Sequence, residues 1–151
     1  MAEKITSGEY RALAELRYRI RLFLHEGDAT ARAQGLEPQQ YQVLLAIRGL
    51  EEGELATIGT LAERLRIRHH SAVELIDRLE KRGYVKRLRN KEDRRQVQVM
   101  LLGRGERALA GVVEERISEL RASGAALVRT IETILDRRNG ILKPKKARNG
   151  V

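Results

Sequence analysis

The side chains best placed to do chemistry in this 151-residue sequence are cations. Residues 81–95 contain eight of them, Lys81, Arg82, Lys86, Arg87, Arg89, Lys91, Arg94 and Arg95, against two acids, Glu92 and Asp93. The whole chain has a net charge of +9 and a pI near 10.3, so most of the excess falls in this one segment. Clustered Lys and Arg bind phosphate and gain affinity by releasing its counterions. Just upstream, Arg68, His69, His70, Ser71, Val73, Glu74 and Arg78 form a set suited to base edges. Histidine donates to guanine or to phosphate, valine meets a thymine methyl, and glutamate accepts from cytosine N4. A second reading of Glu74 stays open, because Ser71-Ala72-Val73-Glu74 also fits a capping box that satisfies the first amides of a helix. His70 and Glu74 are four apart, as two metal ligands on one helical face would be, but no third ligand accompanies them, so no metal is expected. With three histidines, no Gly-rich phosphate loop and no nucleophile and base pair, neither an enzyme nor a cofactor is expected.

Two amphipathic helical repeats are needed to position these residues. Ile58, Leu61, Ala62 and Leu65 mark the first, and Ala72, Leu75, Ile76 and Leu79 the second, about four residues apart. That spacing predicts a helix-turn-helix. Lys81 and Arg82 suit the last turn of the second helix, and Gly83 is its left-handed cap. Residues 84–88 and 96–101 read as two strands, the second alternating Val97, Val99 and Leu101 with polar neighbours, and the basic stretch 89–95 joins them as a tip. Helix-turn-helix plus hairpin predicts a winged helix over 38–101. Thr57 is the expected N-cap of the first motif helix, whose free amides suit a phosphate, and Leu55-Ala56-Thr57 a minimal strand beside the wing.

Flanking helices are predicted over 5–33, with a stripe of Tyr10, Leu13, Ile20 and Leu24, and over 103–138. The second carries Leu109, Val112, Val113, Ile117 and Leu120, is expected to break near Ser123-Gly124, and resumes with Leu127, Ile131, Ile134 and Leu135. Gly35 ends the first helix and Pro38 starts another that runs to about residue 50. The terminal helices carry more apolar stripe than a small winged helix can cover, so they are expected to dimerise. The fold expected is mostly α with a small β-wing, a single domain over 1–138, followed by a basic, disordered tail over 139–151. Absence of cysteine excludes disulfides and thiol redox sensing. Met1-Ala2-Glu3-Lys4 has no secretory h-region and no apolar run reaches the roughly 20 residues that span a bilayer, so a cytoplasmic protein without a membrane partner is expected.

Leu61-Ala62-Glu63-Arg64-Leu65, Leu75-Ile76-Asp77-Arg78-Leu79-Glu80-Lys81-Arg82-Gly83-Tyr84-Val85 and Asp93-Arg94-Arg95 together resemble the MarR family of bacterial transcriptional regulators. The resemblance is densest over 55–109. It implies a homodimer on a pseudo-palindromic duplex operator, with Arg95 entering the minor groove, Asp93 orienting the tip through a local ion pair and Arg94 near a phosphate; Asp93 also reads as a simple turn residue, and both roles can hold together. Lys86, Arg89 and Lys91 would add phosphate contacts without sequence information. It further implies a repressor released by a small anionic or phenolic effector, for which Tyr18, His25 and Tyr41 are the polar-tipped candidates. One departure stands out: the family's capping threonine after the wing is Leu102 here. The competing expectation is an architectural protein that uses the same basic surface on DNA or RNA without a specific site.

Overall fold

The computed structural model describes residues 4–136, so the tail expected over 139–151 and the end of the helix expected to reach 138 lie outside the described residues. Seven elements follow in order: α1 Ser7–Ala33, α2 Pro38–Arg48, α3 Ile58–Leu65, α4 His69–Lys81, β1 Val85–Arg89, β2 Val97–Leu101 and α5 Gly103–Asp136. The described residues fall into two compact units, one being Glu26–Ile117 and the other residues 4–25 together with 118–136.

The Glu26–Ile117 unit holds the hydrophobic core. Leu36, Val43 and Leu44 meet Leu61 of α3, Leu75, Ile76 and Leu79 of α4, Val85 and Val99 of the wing, and Leu109 and Val112 of α5. The apolar positions expected on the two motif helices are thus those that face the core. Thr57 caps α3 as expected, its Oγ1 accepting the Thr60 amide at 3.1 Å. β1 and β2 pair antiparallel with Val85 opposite Leu101 and Arg89 opposite Val97. The minimal strand is also present, since Thr57 bridges Gln98 and the Val99 amide donates to the Ala56 carbonyl at 2.8 Å.

Three helices end in the same way. After α1, α3 and α4 a left-handed residue, Gly35 (φ 78°), Arg66 (φ 55°) or Gly83 (φ 73°), turns the chain. In each case the next amide reaches back five residues: Leu36 to the Ala31 carbonyl, Ile67 to Ala62 and Tyr84 to Leu79, at 2.9, 3.0 and 3.0 Å. Arg66 does this with a Cβ, in a conformation that costs a non-glycine residue about 1 kcal/mol.

Gly105 meets a different demand. A Cβ there would overlap the Tyr84 carbonyl oxygen and lie 3.1 Å from the carbonyl carbon. That oxygen accepts the Leu102 amide at 2.9 Å, and the Leu102 carbonyl accepts the Glu106 amide, so the turn from β2 into α5 closes through backbone without a capping hydroxyl.

The break expected near Ser123-Gly124 does not occur; α5 is continuous from Gly103 to Asp136. One glycine costs a helix interior only about 1 kcal/mol relative to alanine, and the Ala, Leu and Arg residues around it are strong helix formers. Ser123 folds its hydroxyl onto the Glu119 carbonyl at 2.9 Å, which accommodates it inside the helix. In the unit containing these residues and the first part of α1, none of the described residues is buried. Leu13, Leu24, Val128 and Leu135 are each more than half exposed. Among the described residues no helix is long and apolar enough to cross a membrane.

Candidate nucleic-acid interface

α4 begins at His69 with Arg68 in the N-cap position, and no side chain caps it. Ser71 is therefore the third helical residue, and the Ser71–Glu74 capping box considered from the sequence does not form. The helix starts earlier than the box requires because the turn after Arg66 delivers the chain directly into it. Glu74 is left exposed in the second turn beside Arg68, His69, His70 and Arg78, with Ser71 and Val73 half-buried. The opposite face, Ala72, Leu75, Ile76 and Leu79, is buried. The sequence-predicted reading face is thus one continuous surface of α4.

The wing tip is ordered by short-range bonds. The Asn90 amide donates to the Gln96 carbonyl at 3.1 Å, and the Glu92 amide to Asn90 Oδ1 at 3.0 Å. Asp93 accepts the Arg95 amide on its Oδ1 at 3.0 Å, and its carbonyl accepts the Gln96 amide. It orients the tip as a turn residue, through backbone, which is one of the two roles its sequence allows; a carboxylate two residues before an amide makes this bond without leaving its own turn. Arg89, Lys91, Asp93, Arg94 and Arg95 are all exposed, as is Lys86. Arg89, Asn90, Lys91 and Arg94 line one open cleft of about 460 Å³.

Two members of the basic run are occupied elsewhere. Arg82 donates to Gln40 Oε1 at 2.9 Å and to the Gly35 carbonyl at 3.0 Å, and lies 5.0 Å from the ring centre of Tyr84, which Arg104 also approaches, at 4.9 Å. Arg87 is held by Asp77 and Glu80 of α4. The sequence places Arg82 only in the last turn of α4 and assigns Arg87 no contact, so neither set of partners is foreseen from it. The signal for Arg87 was present in the strand period: two residues after the buried Val85, it points to the same side, against the helix. For Arg82 there was no local signal, since its partners are more than forty residues away.

The effector candidates are not brought together within either unit. Tyr18 and His25 are exposed on α1 in the unit that ends at His25, whereas Tyr41 belongs to the Glu26–Ile117 unit. Tyr41 is half-buried, and burial raises its phenol above the ordinary value of 10.0 while the positive field of Arg116 partly opposes this. Arg116 is itself buried, 3.9 Å from Glu26. His70 and Glu74 meet no third ligand, and no group of three metal-ligating side chains occurs among the described residues.

Residues 34–96 match the model of the MarR family, a span covering the helix-turn-helix and the wing up to its second strand. The uncharacterized HTH-type transcriptional regulator YsmB of Bacillus subtilis is 29% identical over 106 residues, 70% of each chain. A MarR family protein from Bacillus stearothermophilus superposes with a TM-score of 0.58 at 26% identity, covering 87% of this chain and 95% of that one. A point mutant of S. aureus MepR, solved bound to an oligodeoxyribonucleotide, gives a TM-score of 0.61 at 15% identity over 91% and 98% of the two chains. Motif order, wing geometry and these likenesses agree: residues 34–96 match the MarR family, and the fold is the winged helix-turn-helix of MarR family transcriptional regulators.

Proposed function

We propose that the protein acts as a cytoplasmic homodimer on a pseudo-palindromic duplex. The observation that carries this is the pairing of two surfaces: an exposed reading face on α4 flanked by a cationic tip, and terminal helical segments in which no described residue is buried. A second copy is the economical cover for the apolar stripe, and two-fold symmetry places two α4 helices in successive major grooves. The first two turns of α4, from Arg68 to Glu74, read base edges, Arg95 enters the flanking minor groove, and Lys86, Arg89, Lys91 and Arg94 hold phosphates. Occupying an operator in this way blocks transcription until a small anionic or phenolic effector favours the form that cannot bind DNA. That the MepR mutant has been solved with an oligodeoxyribonucleotide supports the DNA-binding part of this reading.

Selection of random duplexes by the purified chain at physiological salt tests it. An inverted repeat with half-site centres about ten base pairs apart is expected. Steep salt dependence without an enriched sequence would replace this reading with the architectural one.

A further inference from the structure

Asp77 and Glu80 lie on α4 one turn apart, on the helix proposed to meet DNA, where a carboxylate opposes phosphate. Arg87, across on β1, answers both. Its Nη2 donates to Asp77 Oδ1 at 2.6 Å, its Nη1 to Glu80 Oε1 at 3.0 Å, and its backbone amide to Glu80 Oε2 at 2.9 Å. The geometry points to Arg87 as a positioning residue that fixes the wing against the recognition helix, so that α4 and Arg95 reach their two grooves together. This rests on the groove assignment proposed above.

Three features carry the inference. First, the fit is specific to guanidinium: a planar fork can serve two separate carboxylates at once, whereas an ammonium is a point charge on a flexible stem. Second, the Arg87 side chain is only 24% exposed, against 49% and 41% for Asp77 and Glu80, so the cation is withdrawn from solvent while its partners remain at the surface. Salt screens such a contact less than a fully exposed pair. Third, Glu80 binds both the side chain and the main chain of Arg87, which ties the strand backbone itself to the helix. The wing leaves β1 two residues later, so the angle fixed at Arg87 is inherited by the tip.

The test is a double-mutant cycle with Arg95, using full-length protein and a duplex recovered by the selection above. Arg95→Ala alone should weaken binding ten- to a hundredfold, roughly what one groove-reading arginine contributes, and flatten the A·T preference at the flanks. Arg87→Ala should weaken binding about tenfold and flatten the same flanks. The half-site preference read by α4 and the slope of affinity against salt should both stay unchanged. In the Arg95→Ala background the Arg87 change should then cost almost nothing, and Arg87→Lys should not rescue it. Glu80→Gln, at a more exposed position, repeats the cycle should Arg87→Ala fold poorly.

The inference is overturned by an equal loss in both backgrounds, by no loss from Arg87→Ala, or by a salt slope smaller by about one, which would make Arg87 a phosphate contact. If Arg95→Ala costs nothing, the groove assignment itself fails, and that result is distinct from a loss at Arg95 without one at Arg87.

Discussion

Gly105→Ala should destabilise the protein although it places a better helix former in a helix. The new methyl group would overlap the Tyr84 carbonyl oxygen and crowd its carbon and Cα at 3.1 and 3.4 Å. Neither side can give way easily. The Tyr84 amide is bonded to the Leu79 carbonyl, the Tyr84 oxygen holds the Leu102 amide, and the next residue, Val85, is fully buried and paired with Leu101. Overpacking of this kind costs about 1–3 kcal/mol, and the strained Leu102 bond adds up to about 1 kcal/mol. Against this, alanine gains at most about 1 kcal/mol of helix propensity, and less in a first turn. The net loss is about 2 kcal/mol, or roughly 4–8 °C in Tm for a chain of this size. Gly59→Ala is the control, because its Cβ would meet only Thr57 Oγ1 at 3.9 Å and should leave Tm unchanged or slightly raised. Thermal unfolding by circular dichroism, at one protein concentration so that any assembly contributes equally, measures both. A Gly105→Ala protein as stable as wild type would refute the argument from close approach.

Leu13→Glu and Ile131→Glu should convert a dimer of the 17.2-kDa chain into a weakly associating or monomeric species by light scattering, and a wild-type monomer would end the dimer proposal. Thr57→Ala should remove about 1 kcal/mol by exposing the Thr60 amide, seen as a Tm lower by about 2–4 °C; no change would mean that the cap carries nothing. Tyr41 gives a pH dependence. Because burial raises its folded pKa, the stability of the neutral phenol is fully present below the ordinary value of 10.0 and is lost as pH rises through the folded value. Urea midpoints compared between about pH 8 and pH 11 should therefore fall more for wild type than for Tyr41→Phe, and equal falls would contradict the assignment.

What the sequence reveals here is whatever has a local period. Ile58, Leu61, Ala62 and Leu65, and likewise Ala72, Leu75, Ile76 and Leu79, announce two helices and their buried faces because 3.6 residues per turn leaves that imprint. Gly83, Thr57 and the Asp93 turn are legible for the same reason, since their partners lie within a few residues. The exposed residues Arg68, His69, His70 and Glu74 follow from subtracting the buried face. Properties set across the fold were not legible. Arg82 looks like a cation suited to the end of its helix, but its hydrogen bonds go to Gln40 and Gly35. Gly124 looks like a break, but the helix former content around it decides otherwise. Tyr18, His25 and Tyr41 were chosen by side-chain type alone, and type does not say which surfaces meet.

The left-handed ends of α1, α3 and α4 also bear on how the molecule folds. Each turn is closed by bonds reaching back three and five residues, and each delivers an apolar residue, Leu36, Ile67 or Tyr84, to the core. None of these closures waits for a distant segment, so little loop entropy opposes them. The wing is likewise a hairpin of adjacent strands. Closures this local are expected to form before the core that joins Leu36 to Leu109 and Val112, whose assembly must bring distant segments together. Arg66, the one turn made without glycine, is the place where that local program has least to spare.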